Sequence, residues 1–74
     1  MARPGAIEVE GAVVEILPRN MYRVELANGH RLLGFVARKA RSVLVRLAPG
    51  DRVRLELSLY DLSVGRIIGQ AQTN

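Results

Sequence analysis

The chain has 74 residues, of which 49% are hydrophobic and none is cysteine. This length fits one small domain, the hydrophobic content excludes a disordered polypeptide, and the lack of cysteine excludes disulfides and thiolate metal sites. The net charge of +4 and the sequence pI of about 10.7 favour a polyanionic partner. We predict a single domain over residues 1–74, with frayed ends at 1–5 and 70–74. No stretch approaches the ~20 apolar residues of a membrane span, so we expect a soluble protein without membrane contact. The absence of cysteine favours the cytoplasm, and we expect a monomer.

The positive charge is concentrated in the middle of the chain. Residues 26–50 contain five basic residues and no acidic one. Clustered Lys and Arg attract phosphate backbones and release condensed counterions, so nucleic acid is the first hypothesis for a partner. The alternative is a solvated basic surface without a partner. The five residues are Arg31, Arg38, Lys39, Arg41 and Arg46.

The first three predicted elements are strands, because apolar and polar residues alternate with a period of two. The first strand covers about residues 7–15, and turn chemistry follows at 18–20. The second strand is Met21–Leu26. Asn28 and Gly29 then predict a type I′ hairpin turn with two positive φ angles, which leads into a third strand over residues 30–36.

Residues 37–47 depart from this alternation. Apolar residues at 40, 43, 44 and 47 form a stripe at helical spacing, with the basic residues around the opposite side. The β-branched Val43 and Val45 disfavour a longer helix, so we predict helix only for about residues 37–44.

The last part of the chain completes the predicted fold. A turn at 48–51 precedes a fourth strand over residues 52–57, residues 60–65 are predicted as a loop, and a short fifth strand covers 66–68. This order predicts an all-β, five-stranded oligonucleotide-binding (OB) Greek-key barrel with a short helix between strands three and four. Such barrels bind nucleic acid on strands two and three and the adjacent loops. A five-stranded barrel of another topology remains the alternative.

Two segments carry a resemblance to a known family. Residues 23–30 read RVELANGH and residues 60–67 read YDLSVGRI, and Gly11, Val13 and Glu15 add to the pattern. With these segments, the chain resembles bacterial translation initiation factor one. The similarity runs without a gap from about residue 7 to 68. The resemblance implies an OB barrel on the small ribosomal subunit that occupies the aminoacyl-tRNA (decoding) site during initiation. It also implies contacts with ribosomal RNA, a neighbouring ribosomal protein and the other two initiation factors.

The resemblance also implies RNA-binding residues. Lys39, Arg41 and Arg46 stand at basic positions of the family after strand three, and Arg66 matches a basic position on the last strand. Arg38 and Arg31 have no counterpart in the family, so we predict them as additional phosphate contacts from their charge alone. The alternative for each is a solvent-exposed charge, and Arg66 could simply balance Asp61.

The sequence gives little support for a metal site, an aromatic stacking platform or catalysis. His30 is the only histidine and has no carboxylates at ligand spacing, so we interpret it as a turn-packing residue. The three aromatic residues are too few for a stacking platform, and we expect at least one of Tyr22 and Phe35 in the core. We therefore predict a non-enzymatic initiation factor without cofactor or metal. The alternatives are a general single-stranded RNA-binding protein or RNA chaperone, or an adaptor that binds proteins through the apolar run at 43–45.

Overall fold

A computed structural model describes residues 5–36 and 47–71. Within these ranges the strands form a closed barrel in the order β1-β2-β3-β5-β4, in which β3 and β5 are parallel and the other neighbours are antiparallel. This topology confirms the predicted OB fold, and the helix predicted over 37–44 lies outside the described residues. The strands are β1 (Ala6–Leu17), β2 (Met21–Leu26), β3 (Arg31–Val36), β4 (Arg52–Ser58) and β5 (Asp61–Gln70).

The barrel interior is filled by alternate residues of the strands. Alternation with a period of two places Tyr22 and Val24 of β2 and the apolar residues of β4 inside the barrel, and all of them are buried. A bulge between Val13 and Glu15 changes the register of β1, and Glu15 consequently faces solvent. The buried core consists of Val13, Tyr22, Val24, Leu32, Val36, Leu47, Val53, Leu55, Leu57 and Ile67.

Two glycines face each other where β3 meets β5. Gly34 and Gly65 are register partners, and both are buried. A Cβ at Gly65 would lie 2.5 Å from Leu57 Cδ2, and one at Gly34 would lie 3.0 Å from Ile67 Cδ1. The interior of this small barrel therefore has no room for a side chain on either side of the parallel contact.

The fifth strand is longer than the sequence predicted. Residues 61–65, expected as a loop, belong to β5, so that interpretation was wrong. Val64 and Gly65 pair with β3, while Asp61 pairs with Ser58 on β4. Asp, Ser and Gly have low strand propensity, but pairing with a strand on each side outweighs this local preference.

The hairpin between β2 and β3 forms as predicted, but the type I′ turn was wrong. Only Gly29 has a positive φ, of 86°, whereas Asn28 does not. The Gly29 amide donates to the Leu26 carbonyl and the Leu26 amide donates to the His30 carbonyl, which gives a three-residue loop. The Asn28 Oδ1 atom accepts from the His30 amide at 3.0 Å, and this local bond favours the longer loop.

Both ends of the described chain are tied to the barrel. The Gly5 carbonyl accepts from the Leu59 amide, Gln70 pairs with Val53, and the Ala71 amide donates to the Arg52 carbonyl. The rest of the two predicted frayed ends lies outside the described residues. In the part of the chain that is described, there is no helix of the length and apolar character needed to cross a bilayer.

Candidate nucleic-acid interface

OB barrels bind nucleic acid on the outer surface of β2 and β3 and the adjacent loops, and β5 continues this surface beyond β3. Strand alternation turns Arg23, Arg31, Phe35 and Arg66 outward on this face, opposite to the core. The sheet therefore holds two of the predicted RNA contacts, Arg31 and Arg66, on one surface.

Most strand arginines on the barrel are paired with a glutamate on the next strand. The Arg31 Nε atom lies 3.0 Å from Glu25 Oε2, and the Arg23 Nε atom lies 3.2 Å from Glu15 Oε1. Two further pairs join β1 and β4. Because these pairs are exposed, each contributes little to stability, and Arg31 can exchange its carboxylate for a phosphate at small cost. The β1–β4 pairs are Arg52 with Glu10 at 3.7 Å and Arg54 with Glu8 at 3.9 Å.

Arg66 differs from these arginines. It lies on β5 between its register partners Phe35 and Glu56, and no carboxylate of the described residues lies within 4.0 Å of its guanidinium. The idea that it balances Asp61 finds no contact to support it. The Asp61 carboxylate instead accepts from the Ser63 hydroxyl and amide, and these hydrogen bonds lower the pKa of Asp61.

The other four predicted contacts, Arg38, Lys39, Arg41 and Arg46, lie outside the described residues. The two described residues that flank this segment, Val36 and Leu47, are both buried in the core. The described ranges contain six arginines and seven acidic residues. The barrel is therefore nearly neutral, and the positive charge of the chain resides in residues 37–46 and in Arg3.

A groove of about 280 Å³ opens on the outer surface beside Arg66. Phe35, which is 39% exposed, forms part of its wall, and Tyr60 lies at its edge with 92% exposure. Tyr22 points into the core on the opposite side of the sheet, which confirms that one of the two hairpin aromatics is buried. Sequence reasoning missed this groove, although the outward position of Phe35 in the third strand's alternation was a signal for it.

Comparison with known proteins identifies the family. The family model for translation initiation factor 1A / IF-1 matches residues 1–74. The chain belongs to this family. The resemblance found in the sequence is thereby confirmed, and the protein is a translation initiation factor of a ribosome-associated, RNA-binding type.

Two solved structures are similar to this member of the IF-1 family. The solution structure of translation initiation factor IF-1 from the Wolbachia endosymbiont strain TRS of Brugia malayi is 40% identical, with a TM-score of 0.75, covering 95% of this chain and 83% of that one. The crystal structure of YjeQ from Thermotoga maritima is 28% identical, with a TM-score of 0.68, covering 89% of this chain and 23% of that one. The IF-1 barrel thus corresponds to a small part of that longer protein.

His30 has a structural partner in this IF-1 family member. Its Nε2 atom lies 2.9 Å from the Leu62 carbonyl oxygen, and because a carbonyl only accepts, Nε2 carries the proton. This bond joins the β2–β3 loop to the start of β5, in agreement with a turn-packing residue. In residues 5–36 and 47–71, no group of three or more His, Asp or Glu side chains could hold a metal ion.

Proposed function

We propose that this factor binds the small ribosomal subunit at the decoding site, where it occupies the aminoacyl-tRNA position during initiation. It contacts ribosomal RNA and a neighbouring ribosomal protein and assists the other two initiation factors. It acts as a cytoplasmic monomer by occupying the site, without catalysis. The proposal rests on membership of the IF-1 family together with the placement of charge on the barrel.

The observation that carries the proposal is the contrast between a neutral barrel and a basic insertion. Four strand arginines of the described residues are matched by glutamates, so the barrel itself attracts a polyanion weakly. Residues 37–46 contain four basic residues and no acidic one. They directly follow β3 in the sequence, and β3 belongs to the face that OB barrels use, so they add attraction for RNA to that of the barrel.

The two kinds of contact have different roles. Lys39, Arg41 and Arg46, with Arg38, provide the charge that draws the protein to the RNA backbone. Arg66 and Arg31 stand on the sheet, where guanidinium groups fork onto phosphates or stack on unpaired bases. The insertion therefore governs affinity, and the sheet orients the RNA.

Equilibrium binding of labelled protein to purified small subunits, measured over about 50 to 200 mM salt, tests the proposal. We expect saturable binding that weakens as salt rises. The triple variant Lys39→Ala, Arg41→Ala, Arg46→Ala should bind about 10-fold or more weakly, and its slope of log affinity against log salt should fall by about one unit for each phosphate that the variant leaves without a cation.

A matched control removes charge from elsewhere on the barrel. Arg52→Ala with Arg54→Ala takes two positive charges from the β1–β4 surface, and Lys39→Ala with Arg41→Ala takes two from the insertion. Only the second double variant should lose affinity. Equal losses in both would mean that net charge alone drives binding. Equal binding of subunits and free RNA would favour a general RNA chaperone, and salt-independent binding to a protein would favour an adaptor.

A further inference from the structure

Three outward side chains form a row across the groove beside Arg66. Phe35 on β3 is the register partner of Arg66 on β5, and Arg66 is the register partner of Glu56 on β4. Neighbouring strands lie about 4.8 Å apart, so the Cα atoms of Phe35 and Glu56 lie about 10 Å apart with that of Arg66 between them. All three residues line the same groove.

The two charged members of this row do not pair with each other. In the described strands, every other glutamate has an arginine within 4.0 Å, and every other arginine has a glutamate. Glu56 and Arg66 face each other across the β4–β5 ladder and form no such contact. Each therefore keeps its hydrogen-bonding capacity for a ligand, the carboxylate as an acceptor and the guanidinium as a donor.

The rest of the groove is small and largely apolar. Val64 lines it with Phe35, while Gly5, Ala6 and Gly65 contribute little side-chain bulk. Its volume of about 280 Å³ lies just below the usual range for whole small-molecule sites, so a single flat ring system fits better than a large ligand. An exposed aromatic face in such a groove suits base stacking.

We propose that this groove is a subsite for one unpaired guanine of RNA. The inference rests on the proposed RNA-binding function. Guanine has two adjacent donors, N1–H and the N2 amine, and the Glu56 carboxylate accepts hydrogen bonds from both. Its two acceptors, O6 and N7, face the Arg66 guanidinium, which donates to them. Phe35 stacks on the ring. Adenine places the lone pair of N1 where guanine has a donor, so it meets the carboxylate unfavourably.

Fluorescence anisotropy with labelled hexaribonucleotides tests this subsite. We compare six uridines with the same RNA carrying one guanine, adenine or inosine at a fixed position, using the full chain. The guanine RNA should bind about 10-fold more tightly than the adenine RNA, and inosine, which lacks the N2 amine, should fall between them. Replacing guanine by 7-deazaguanine removes N7, one of the two acceptors for Arg66, and should also weaken binding, without any change to the protein.

Protein variants test whether the preference for guanine arises from the row of Phe35, Arg66 and Glu56. Glu56→Gln should abolish the preference for guanine over adenine, and Phe35→Leu should weaken binding of all the RNAs because it removes the stacking surface. Glu10→Gln removes an equal charge from the opposite surface and should retain the preference. Thermal melting checks that each variant is folded.

The outcomes separate this inference from the function on which it rests. Absence of a guanine preference in the unmodified protein, or its persistence in Glu56→Gln, overturns the subsite even where salt-sensitive subunit binding is intact. Equal binding of guanine and 7-deazaguanine RNA overturns the contact between Arg66 and N7. Absence of saturable subunit binding at the lowest salt concentration would instead contradict the proposed function.

Discussion

The Asp61 carboxylate, at the start of β5, accepts hydrogen bonds from the hydroxyl and the amide of Ser63. Both bonds favour the charged form, the hydroxyl most, and they lower the pKa of Asp61 from its ordinary value of 3.8. A carboxyl group with a lower pKa in the folded state holds its proton less tightly there than in the unfolded chain. Its contribution to stability is therefore complete above pH 3.8 and is lost as the pH falls through the folded-state value.

Asp61→Asn should remove this part of the acid sensitivity. Asparagine can still accept from the Ser63 amide but does not titrate, so the variant should lose less stability than the original protein as pH falls below 3.8. Urea unfolding at a series of pH values measures the difference, since the other carboxylates cancel in the comparison. Parallel curves for the two proteins would show that the Ser63 bonds do not distinguish the folded from the unfolded state.

At the scale of elements, the contact between β3 and β5 depends on residues without side chains. Gly65 is buried against Leu57, Leu32 and Leu55, so a methyl group there would overlap the core from a strand held on both sides. Since β5 pairs with β3 and with β4, it cannot move outward without breaking one ladder. The parallel contact therefore tolerates little increase in side-chain size.

Gly65→Ala should lower the free energy of unfolding by about 1–3 kcal/mol through overpacking. The matched control is Gly69→Ala on the same strand, where a Cβ would meet only the end of the Arg54 side chain, at 3.2 Å. That side chain can move, so the control should change stability much less. Urea unfolding of both variants provides the measurement, and equal effects would mean that strand propensity rather than core overlap sets the cost.

Sequence patterns were sufficient to predict which side chains point inward where the alternation within a single strand determines this. The inward positions on β2 and β4 follow from a period of two, and so does the core. The extension of β5 to Asp61 depends on partners far away in the chain, and the turn at Asn28 depends on a side-chain bond to the His30 amide, so neither follows from local propensity. The row of Phe35, Arg66 and Glu56 requires the register of three strands, which only the folded barrel specifies.

At the scale of the whole molecule, charge serves binding more than stability. The four ion pairs of the described barrel are formed by side chains that are 38–59% exposed, so each contributes ~1 kcal/mol or less. The basic insertion, residues 37–46, contains no acidic residue. Salt should therefore weaken binding to the small subunit much more than it changes the free energy of unfolding.

We expect the free energy of unfolding to change by only about 1 kcal/mol between about 0.1 and 1 M salt, while subunit binding weakens by orders of magnitude over a smaller range. Urea unfolding gives the first quantity, because urea adds no charge, and the binding series gives the second. A large loss of stability with salt would show that the cross-strand pairs hold the barrel together, contrary to their exposure.

The closed barrel joins parts of the chain that are distant in sequence. Ala6 pairs with Ser58 and Leu33 pairs with Val64, so two of the five strand pairings cannot form as local hairpins. Each closes a long loop and costs chain entropy before its hydrogen bonds form. The β1–β2, β2–β3 and β4–β5 hairpins can form first, but none of them alone completes the wall around the core. Closure of the wall therefore requires β1 to meet β4 and β3 to meet β5, so during synthesis the barrel cannot close until β5 has left the ribosome.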